Sequence, residues 1–328
     1  MSFDSFIGNT AVASRLRTKL RENRFPHAVI FAGPQGVGKH TLALMITKAL
    51  NCPVKGPVDF CDECPQCRKI NTGVHPDVLT VTVEEDATQI KIEQIRHVLS
   101  MLELHPLEGR NKVFIIDPAN LLNPQSSNAL LKGLEEPPEN SFFILIAVNL
   151  HELLLTIRSR CQIYNFAPLK LDDIRSRGVT DELTVRWSQG SIGRAQSLDV
   201  RAVKEQREAV IGFIETAATA KDDTLREMLN ASADLSRSRQ ELAEYIGVMS
   251  IVLRDLLHLS EGDADIVNVD IRERLEALAQ RANTEQWIRV AEFLREVELG
   301  LKANLNKQML TDSLALVTSN LPDDRSRN

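Results

Sequence analysis

The chain has 328 residues, more than one hydrophobic core usually organises, so it is predicted to fold as two or three domains. Its formal net charge of −6, with acidic and basic residues interspersed, excludes a strong overall field for holding nucleic acid unaided. The sequence has no run of about 18 apolar residues, and its first ten residues lack the layout of a signal peptide. Nothing therefore predicts export or a membrane segment, and the protein is expected in the cytoplasm.

Five short apolar runs rich in β-forming residues alternate with helical patterns in the first half of the chain. They lie at 27–32, 77–83, 112–117, 142–148 and 161–166. Strands that alternate with helices predict a parallel sheet covered on both faces. Asn123 and Pro124 predict an N-cap followed by proline at the first helical position, and Pro137 and Pro138 predict the end of that helix.

The β-rich runs stop after Pro168, and the rest of the chain follows a helical pattern. A short segment at 187–198 leads into a long helical region from about Val203 to Leu321. Within this region, one predicted apolar helix face consists of Trp287, Val290, Ala291, Leu294, Val297 and Leu301. Residues 322–328 have nothing to bury and are predicted to be disordered.

The run GPQGVGKHT at 33–41 follows a predicted strand and opens a predicted helix, as a phosphate-binding loop does. The alternative is an ordinary strand-to-helix turn. In a phosphate loop, glycines allow a tight backbone curve, and amide N–H groups and the helix N-terminus face the phosphates of ATP or ADP. The residues assigned to this role are Gly33, Gly36, Gly38 and Lys39, of which Lys39 reaches the outer phosphates.

Two positions depart from what ATP hydrolysis needs. His40 stands where a serine or threonine would present a hydroxyl to magnesium, and Thr41 is displaced by about 100° around the helix. Imidazole is a poor ligand for this oxygen-preferring ion, so the sequence is compatible with bound nucleotide but leaves Mg²⁺ binding in doubt. Asp117 could act on magnesium through water, but Pro118 has no group that activates the attacking water. Without the phosphate loop, 113–117 would be read as a core strand with a capping aspartate.

Four of the five cysteines lie in a short loop-rich insertion at 52–67, with the spacing C-x8-C-x2-C-x2-C. Cys52, Cys61, Cys64 and Cys67 together predict a tetrahedral Zn²⁺ site. Because the protein fills all four positions, the metal is expected to stabilise structure and not to perform chemistry. Four buried free thiols are the alternative. Cys161 lies far along the chain and is interpreted as a packed strand residue.

With these features in place, the sequence resembles the clamp-loader branch of the AAA+ proteins, and within it the delta prime type of subunit of bacterial DNA polymerase III. The resemblance covers nearly the whole chain. Besides the phosphate loop and the four cysteines, it rests on HPD at 75–77, IKIEQIR at 90–96, NALLKGLEEPP at 128–138, TIRSRC at 156–161, GSIGRA at 190–195 and a C-terminal helical run at 301–316.

The resemblance implies an architecture of three domains. The first, at 1–167, is an α/β P-loop AAA+ domain with a five-stranded parallel sheet and the zinc module at 52–67. A small helical lid at 168–202 follows, and then an all-α collar at 203–321 that holds a five-subunit ring together.

The resemblance also implies roles for single residues. Arg160, in the run SRC, is the candidate arginine finger that acts in trans on a neighbouring subunit's ATP; otherwise an ion pair is the commoner use of such an arginine. Asn149 and Arg194 lie near the sensor positions of the family.

The function that follows is that of a largely non-hydrolysing ring member. Its expected partners are gamma/tau and delta subunits, and through them the sliding clamp and primed DNA. It is expected to be an accessory subunit of a polymerase holoenzyme without ATPase or polymerase activity of its own. The alternatives are an active gamma/tau-like ATPase, which His40 and Pro118 oppose, and a zinc-containing P-loop kinase, which the long helical region opposes.

Overall fold

The computed structural model describes residues 2–85, 87–219 and 238–319. A five-stranded parallel sheet lies at its centre, with the strand order β2-β3-β4-β1-β5. The strands are β1 (Ala28–Ala32), β2 (Val78–Val81), β3 (Lys112–Ile116), β4 (Ser141–Ala147) and β5 (Gln162–Asn165). Each predicted run matches one strand, with β4 beginning one residue before its run, and the predicted parallel sheet is confirmed.

Helices account for most of the remaining described residues. In chain order they are α1 (Thr10–Arg21), α2 (Lys39–Asn51), α3 (Pro65–Asn71), α4 (Ile92–Leu102), α5 (Pro124–Glu135), α6 (Leu155–Arg158), α7 (Leu171–Arg175), α8 (Glu182–Trp187), α9 (Ile192–Ser197), α10 (Val200–Thr219), α11 (Arg239–Ser260), α12 (Arg272–Ala279), α13 (Thr284–Lys302) and α14 (Lys307–Ser319). None of these helices is both long and apolar enough to cross a lipid bilayer.

The central strands are apolar on both faces because helices cover both sides of the sheet. Alternate residues of a strand point to opposite faces, so Val29 and Phe31 of β1 pack with residues of α1 and α2. Ala28 and Ile30 of the same strand pack with residues of α4 and α5. This two-sided burial explains the continuous apolar runs in the sequence.

The predicted start of α5 is confirmed. The Asn123 side chain accepts a hydrogen bond from the backbone N–H of Ser126 at 2.8 Å, and Pro124 occupies the first helical position. The helix ends at Glu135, just before Pro137 and Pro138.

The described residues form two compact units. The first comprises Met1–Val179 with Ser188–Gln196, and the second comprises Thr180–Trp187 with Ser197–Asn328. The predicted lid segment at 168–202 contributes residues to both units. Its treatment as a separate domain, and the boundaries at 167 and 202, stay predictions.

The second unit is helical, as the sequence predicted after Pro168. Its core contains Trp187 of α8 and Trp287 of α13, both almost fully buried. The predicted apolar face of α13 is confirmed, since five of its six residues are buried and Ala291 is partly buried. The predicted tail at 322–328 lies outside the described residues.

Candidate functional site

The phosphate loop connects β1 to α2 and has the backbone shape that its glycines predicted. Gly33, Gly36 and Gly38 have φ angles of +148°, +76° and +93°, in a region that residues with side chains rarely adopt. A Cβ atom at Gly33 would lie 2.3 Å from the carbonyl oxygen of Phe166. The loop therefore needs glycine here for both conformation and space.

Lys39 begins α2 and is only 5% exposed. Its Nζ donates hydrogen bonds to the carbonyl oxygens of Gly33 and Pro34, both at 2.6 Å. Burial lowers the pKa of Lys39, and the charge of Asp117 works in the opposite direction. The ammonium group is thus held on the inner side of the loop.

His40, one of the two departures from a hydrolytic site, is in direct contact with the aspartate that this site retains. His40 Nδ1 and Asp117 Oδ2 are 2.9 Å apart, although 77 residues separate them in the chain. A carboxylate only accepts hydrogen bonds, so the imidazole N–H is the donor. Asp117 directly follows β3, and His40 is the second residue of α2, so the parallel sheet brings the two together at its carboxyl edge.

A cavity of about 800 Å³ opens at this edge of the sheet. Its size is in the range of small-molecule and cofactor sites. Of the residues predicted to bind nucleotide, six line it, namely Gly36, Gly38, Lys39, His40, Thr41 and Asp117. Thr41 therefore reaches the same cavity despite its displacement around the helix.

Residues 188–196, which belong to the same compact unit, lie against the phosphate loop. The backbone N–H of Gly193 donates to the carbonyl oxygen of Gly36 at 3.3 Å. A Cβ atom at Gly36 would lie 2.1 Å from Ser191 Oγ. The run GSIGRA thus helps to form one wall of the cavity.

The two predicted sensor residues are not among those that line the cavity in the described part of the chain. The Asn149 side chain accepts a hydrogen bond from the backbone N–H of His151 at 3.0 Å. Arg194 Nη1 donates to Gln189 Oε1 at 3.1 Å. Their sensor roles stay predictions. Sequence reasoning missed Arg177, which lines the cavity but lies in no motif that points to it.

Arg160 lies between α6 and β5, at the opposite end of the sheet from the phosphate loop. Its Nη2 is 2.6 Å from Glu135 Oε1, and its Nη1 donates to the carbonyl oxygen of Thr156 at 3.0 Å. The side chain is 34% exposed. Arg160 therefore has both the ion pair of a structural arginine and the partial exposure that an arginine finger needs.

The four predicted zinc ligands form one cluster. The sulfur atoms of Cys52, Cys61, Cys64 and Cys67 all lie within 4.8 Å of one another. The Sγ atoms of Cys52 and Cys61 are 3.7 Å apart, close to the ~3.8 Å edge of a tetrahedron with zinc–sulfur bonds of about 2.3 Å.

Local backbone geometry favours the thiolate form that zinc requires. Backbone N–H groups donate to the sulfurs of Cys52, Cys61 and Cys64 at 3.3–3.4 Å. Burial opposes ionisation of Cys52, but backbone hydrogen bonds from residues such as Lys55 hold the pKa of its thiol down to about 6. Burial raises the pKa of the Cys64 and Cys67 thiols, so these two would have to give up their protons when the metal binds. The residues present therefore fit a structural zinc ion.

Cys161 does not belong to this cluster. Burial raises the pKa of its thiol to about 12, and it packs against the apolar core that includes α4 and α5. The interpretation of Cys161 as a packed residue agrees with this position.

Comparisons with known proteins decide the family. A family model described as "DNA polymerase III, delta subunit" matches residues 8–170. DNA polymerase III subunit tau of Bacillus subtilis is 33% identical over 229 residues, which are 70% of this chain and 36% of that protein. DNA polymerase III subunit delta' of the same organism is 26% identical over 314 residues, 93% of this chain and 94% of that protein. The chain belongs to the clamp-loader family of AAA+ proteins.

Within this clamp-loader family, the relatives differ in how much of their length is matched. The chain spans only 24–39% of the length of the first four tau and tau/gamma relatives. Among solved structures, a gamma subunit-related protein of Thermotoga maritima aligns with 93% of this chain and 99% of that chain, at 17% identity and a TM-score of 0.46.

Proposed function

We propose that the chain is a delta prime-type subunit of a bacterial clamp loader. In this role it joins gamma/tau and delta subunits in a five-membered ring that loads the sliding clamp onto primed DNA in the cytoplasm. The observation that carries the proposal is the contact between His40 and Asp117, with Pro118 beside it. A ring member of this kind contributes to assembly and to a neighbour's active site without hydrolysing ATP itself.

The chemistry of the phosphate site supports a non-hydrolysing subunit. His40 offers a ring nitrogen where magnesium needs an oxygen ligand, and the Asp117 carboxylate is already engaged by that ring. Pro118 cannot accept a proton or orient a water molecule. The match to a delta' relative over nearly the full length of both chains agrees with this assignment.

The position of Arg160 supports a role in the ATP site of a neighbouring subunit. Because it precedes β5, it lies at the edge of the sheet opposite this chain's own phosphate loop, and it cannot act on a nucleotide bound there. A partly exposed guanidinium in this place suits an arginine finger that enters a neighbouring subunit's ATP site.

The proposal includes the predicted cofactors and domains. Zinc, held by the four cysteines, supplies cross-linking of the insertion and no catalytic chemistry. ATP or ADP would lie against Gly36, Gly38 and Lys39 in the cavity. A lid at 168–202 and a collar at 203–321 complete the proposed arrangement.

A gamma/tau-like motor is the second candidate, because the tau and gamma relatives reach 33–36% identity over about half to three quarters of this chain. The kinase alternative has no comparable support.

Mixing experiments separate these candidates. We expect the purified chain to co-elute on a sizing column with gamma/tau and delta subunits of the same organism in a complex that lacks any other delta prime. A gamma/tau-like chain would instead replace the motor subunits and leave a place for delta prime. A kinase would elute alone.

The isolated chain is expected to hydrolyse ATP no faster than its Lys39→Ala variant. The physical reason is the absence of both an oxygen ligand at position 40 and a general base at position 118. Steady-state phosphate release, measured for both proteins side by side, checks this. A Lys39-dependent rate comparable to that of the gamma/tau subunit would favour the motor instead.

A further inference from the structure

The contact between His40 and Asp117 changes the ion that the phosphate site can accept. In P-loop enzymes, magnesium is held by the hydroxyl that follows the lysine and by the aspartate at the end of the neighbouring strand. Here these two positions are hydrogen-bonded to each other at 2.9 Å. A magnesium ion would have to break this bond, and it would gain only an imidazole nitrogen, a poor ligand for a hard cation.

The lining of the cavity offers a substitute for the missing divalent charge. Lys39, His40 and Arg177 all line it, while Asp117 is the one carboxylate among its described lining residues. The Asp117 carboxylate accepts a hydrogen bond from the His40 ring, which fixes the ring's orientation. When both ring nitrogens carry a proton, Nε2 can donate to a phosphate oxygen.

We propose that this site binds a nucleoside di- or triphosphate in its metal-free form, with the His40 ring in the place of magnesium. The inference rests on the phosphate site of the proposed function and goes beyond it, because it names the ligand form and the residue that selects it. The phosphate charge is met by Lys39, His40, Arg177 and the loop amides. A ring member built in this way keeps nucleotide as a bound ligand without the means to hydrolyse it.

The test measures ADP and ATP binding to the full chain by titration calorimetry, with and without magnesium. Magnesium is removed from the buffer with a chelating resin before the protein is added, because a chelator in solution would also remove zinc from the cysteine cluster. For the unmodified chain we expect the Kd to change by less than about threefold, or to rise, when magnesium is added. A Kd that falls tenfold or more with magnesium overturns the proposal, and so does the absence of binding in both conditions.

Two substitutions test the role of the His40 imidazole. His40→Asn keeps a hydrogen-bond donor but removes the imidazole, and we expect binding without magnesium to weaken tenfold or more. His40→Thr restores the hydroxyl, and we expect it to bind more tightly with magnesium than without. If both variants behave like the unmodified chain, His40 does not replace the metal. Loss of binding in Lys39→Ala locates the measured ligand at this loop.

A matched control and a second readout complete the experiment. His97→Asn changes an exposed histidine on α4, away from the cavity, and should bind as the unmodified chain does. The same His40 variants should still enter the complex with gamma/tau and delta subunits. If the chain does not bind metal-free nucleotide but still assembles, the inference about His40 is wrong and the clamp-loader assignment is kept. If the chain binds metal-free nucleotide but does not assemble, the clamp-loader assignment is wrong and the binding result is kept.

Discussion

Arg160→Ala is expected to lower the rate of ATP hydrolysis at one neighbouring site by roughly 10³–10⁵-fold in the assembled clamp loader, the range found for arginines donated in trans. The guanidinium stabilises the negative charge that develops on the transferred phosphate, and alanine removes it. Single-turnover hydrolysis and clamp loading by the reconstituted complex measure the effect. The total steady-state rate of ATP hydrolysis is expected to fall less, because the other motor sites keep their own arginine fingers.

Folding of the Arg160→Ala chain is expected to be nearly unchanged. The substitution breaks the ion pair with Glu135, but this pair is partly exposed, and such pairs contribute about 0–1 kcal/mol. Zinc content and entry into the ring should be retained.

Two further variants separate the finger from the ion pair. Glu135→Gln weakens the same pair but keeps the guanidinium, so we expect it to change clamp loading less than about threefold. Arg160→Lys keeps the charge but not the planar fork of donors, so it should rescue poorly. If Glu135→Gln reproduces the alanine defect, or if the alanine complex loads clamps at the normal rate, Arg160 is a structural residue.

Loss of the zinc ion is expected to unfold the insertion at 52–71 while the parallel sheet stays folded. Structural zinc contributes on the order of 10–16 kcal/mol in zinc-finger peptides, and most of that binding energy is folding energy of the surrounding chain. We expect one zinc per chain by elemental analysis, and less than half an equivalent in Cys67→Ser. Hydrogen exchange should show faster exchange in α3 than in β1 after the metal is lost.

The effect should stay local because the strands of the sheet are hydrogen-bonded to one another and not to the insertion. The ion pair of Lys48 with Asp62 and the hydrogen bond of Gln66 with His75 are expected to be lost with the insertion. Cys161→Ser is the matched control, since it removes a buried thiol outside the cluster and should keep a full equivalent of zinc. A zinc-free chain with unchanged exchange in α3 would contradict the structural role.

Several features of this protein followed from the sequence by itself because they depend on neighbouring residues. The three inner strands, β1, β3 and β4, were visible as nearly continuous apolar runs, since a strand buried on both faces needs apolar residues at almost every position. The cap at Asn123 and the glycines of the phosphate loop were visible because a cap and a turn are formed by residues close together in the chain. The four cysteines could be grouped for the same reason, since three of them lie within seven residues.

Only the tertiary structure decided which distant residues meet. His40 was noted as a departure and Asp117 as a retained aspartate, and their hydrogen bond exists because the parallel sheet sets the end of β3 near the start of α2. Glu135 gave no sign in the sequence that it pairs with Arg160, and Arg177 gave none that it lines the same cavity as the phosphate loop. Such contacts depend on strand order and on the path of the chain between elements, and local propensity and spacing carry no information about either.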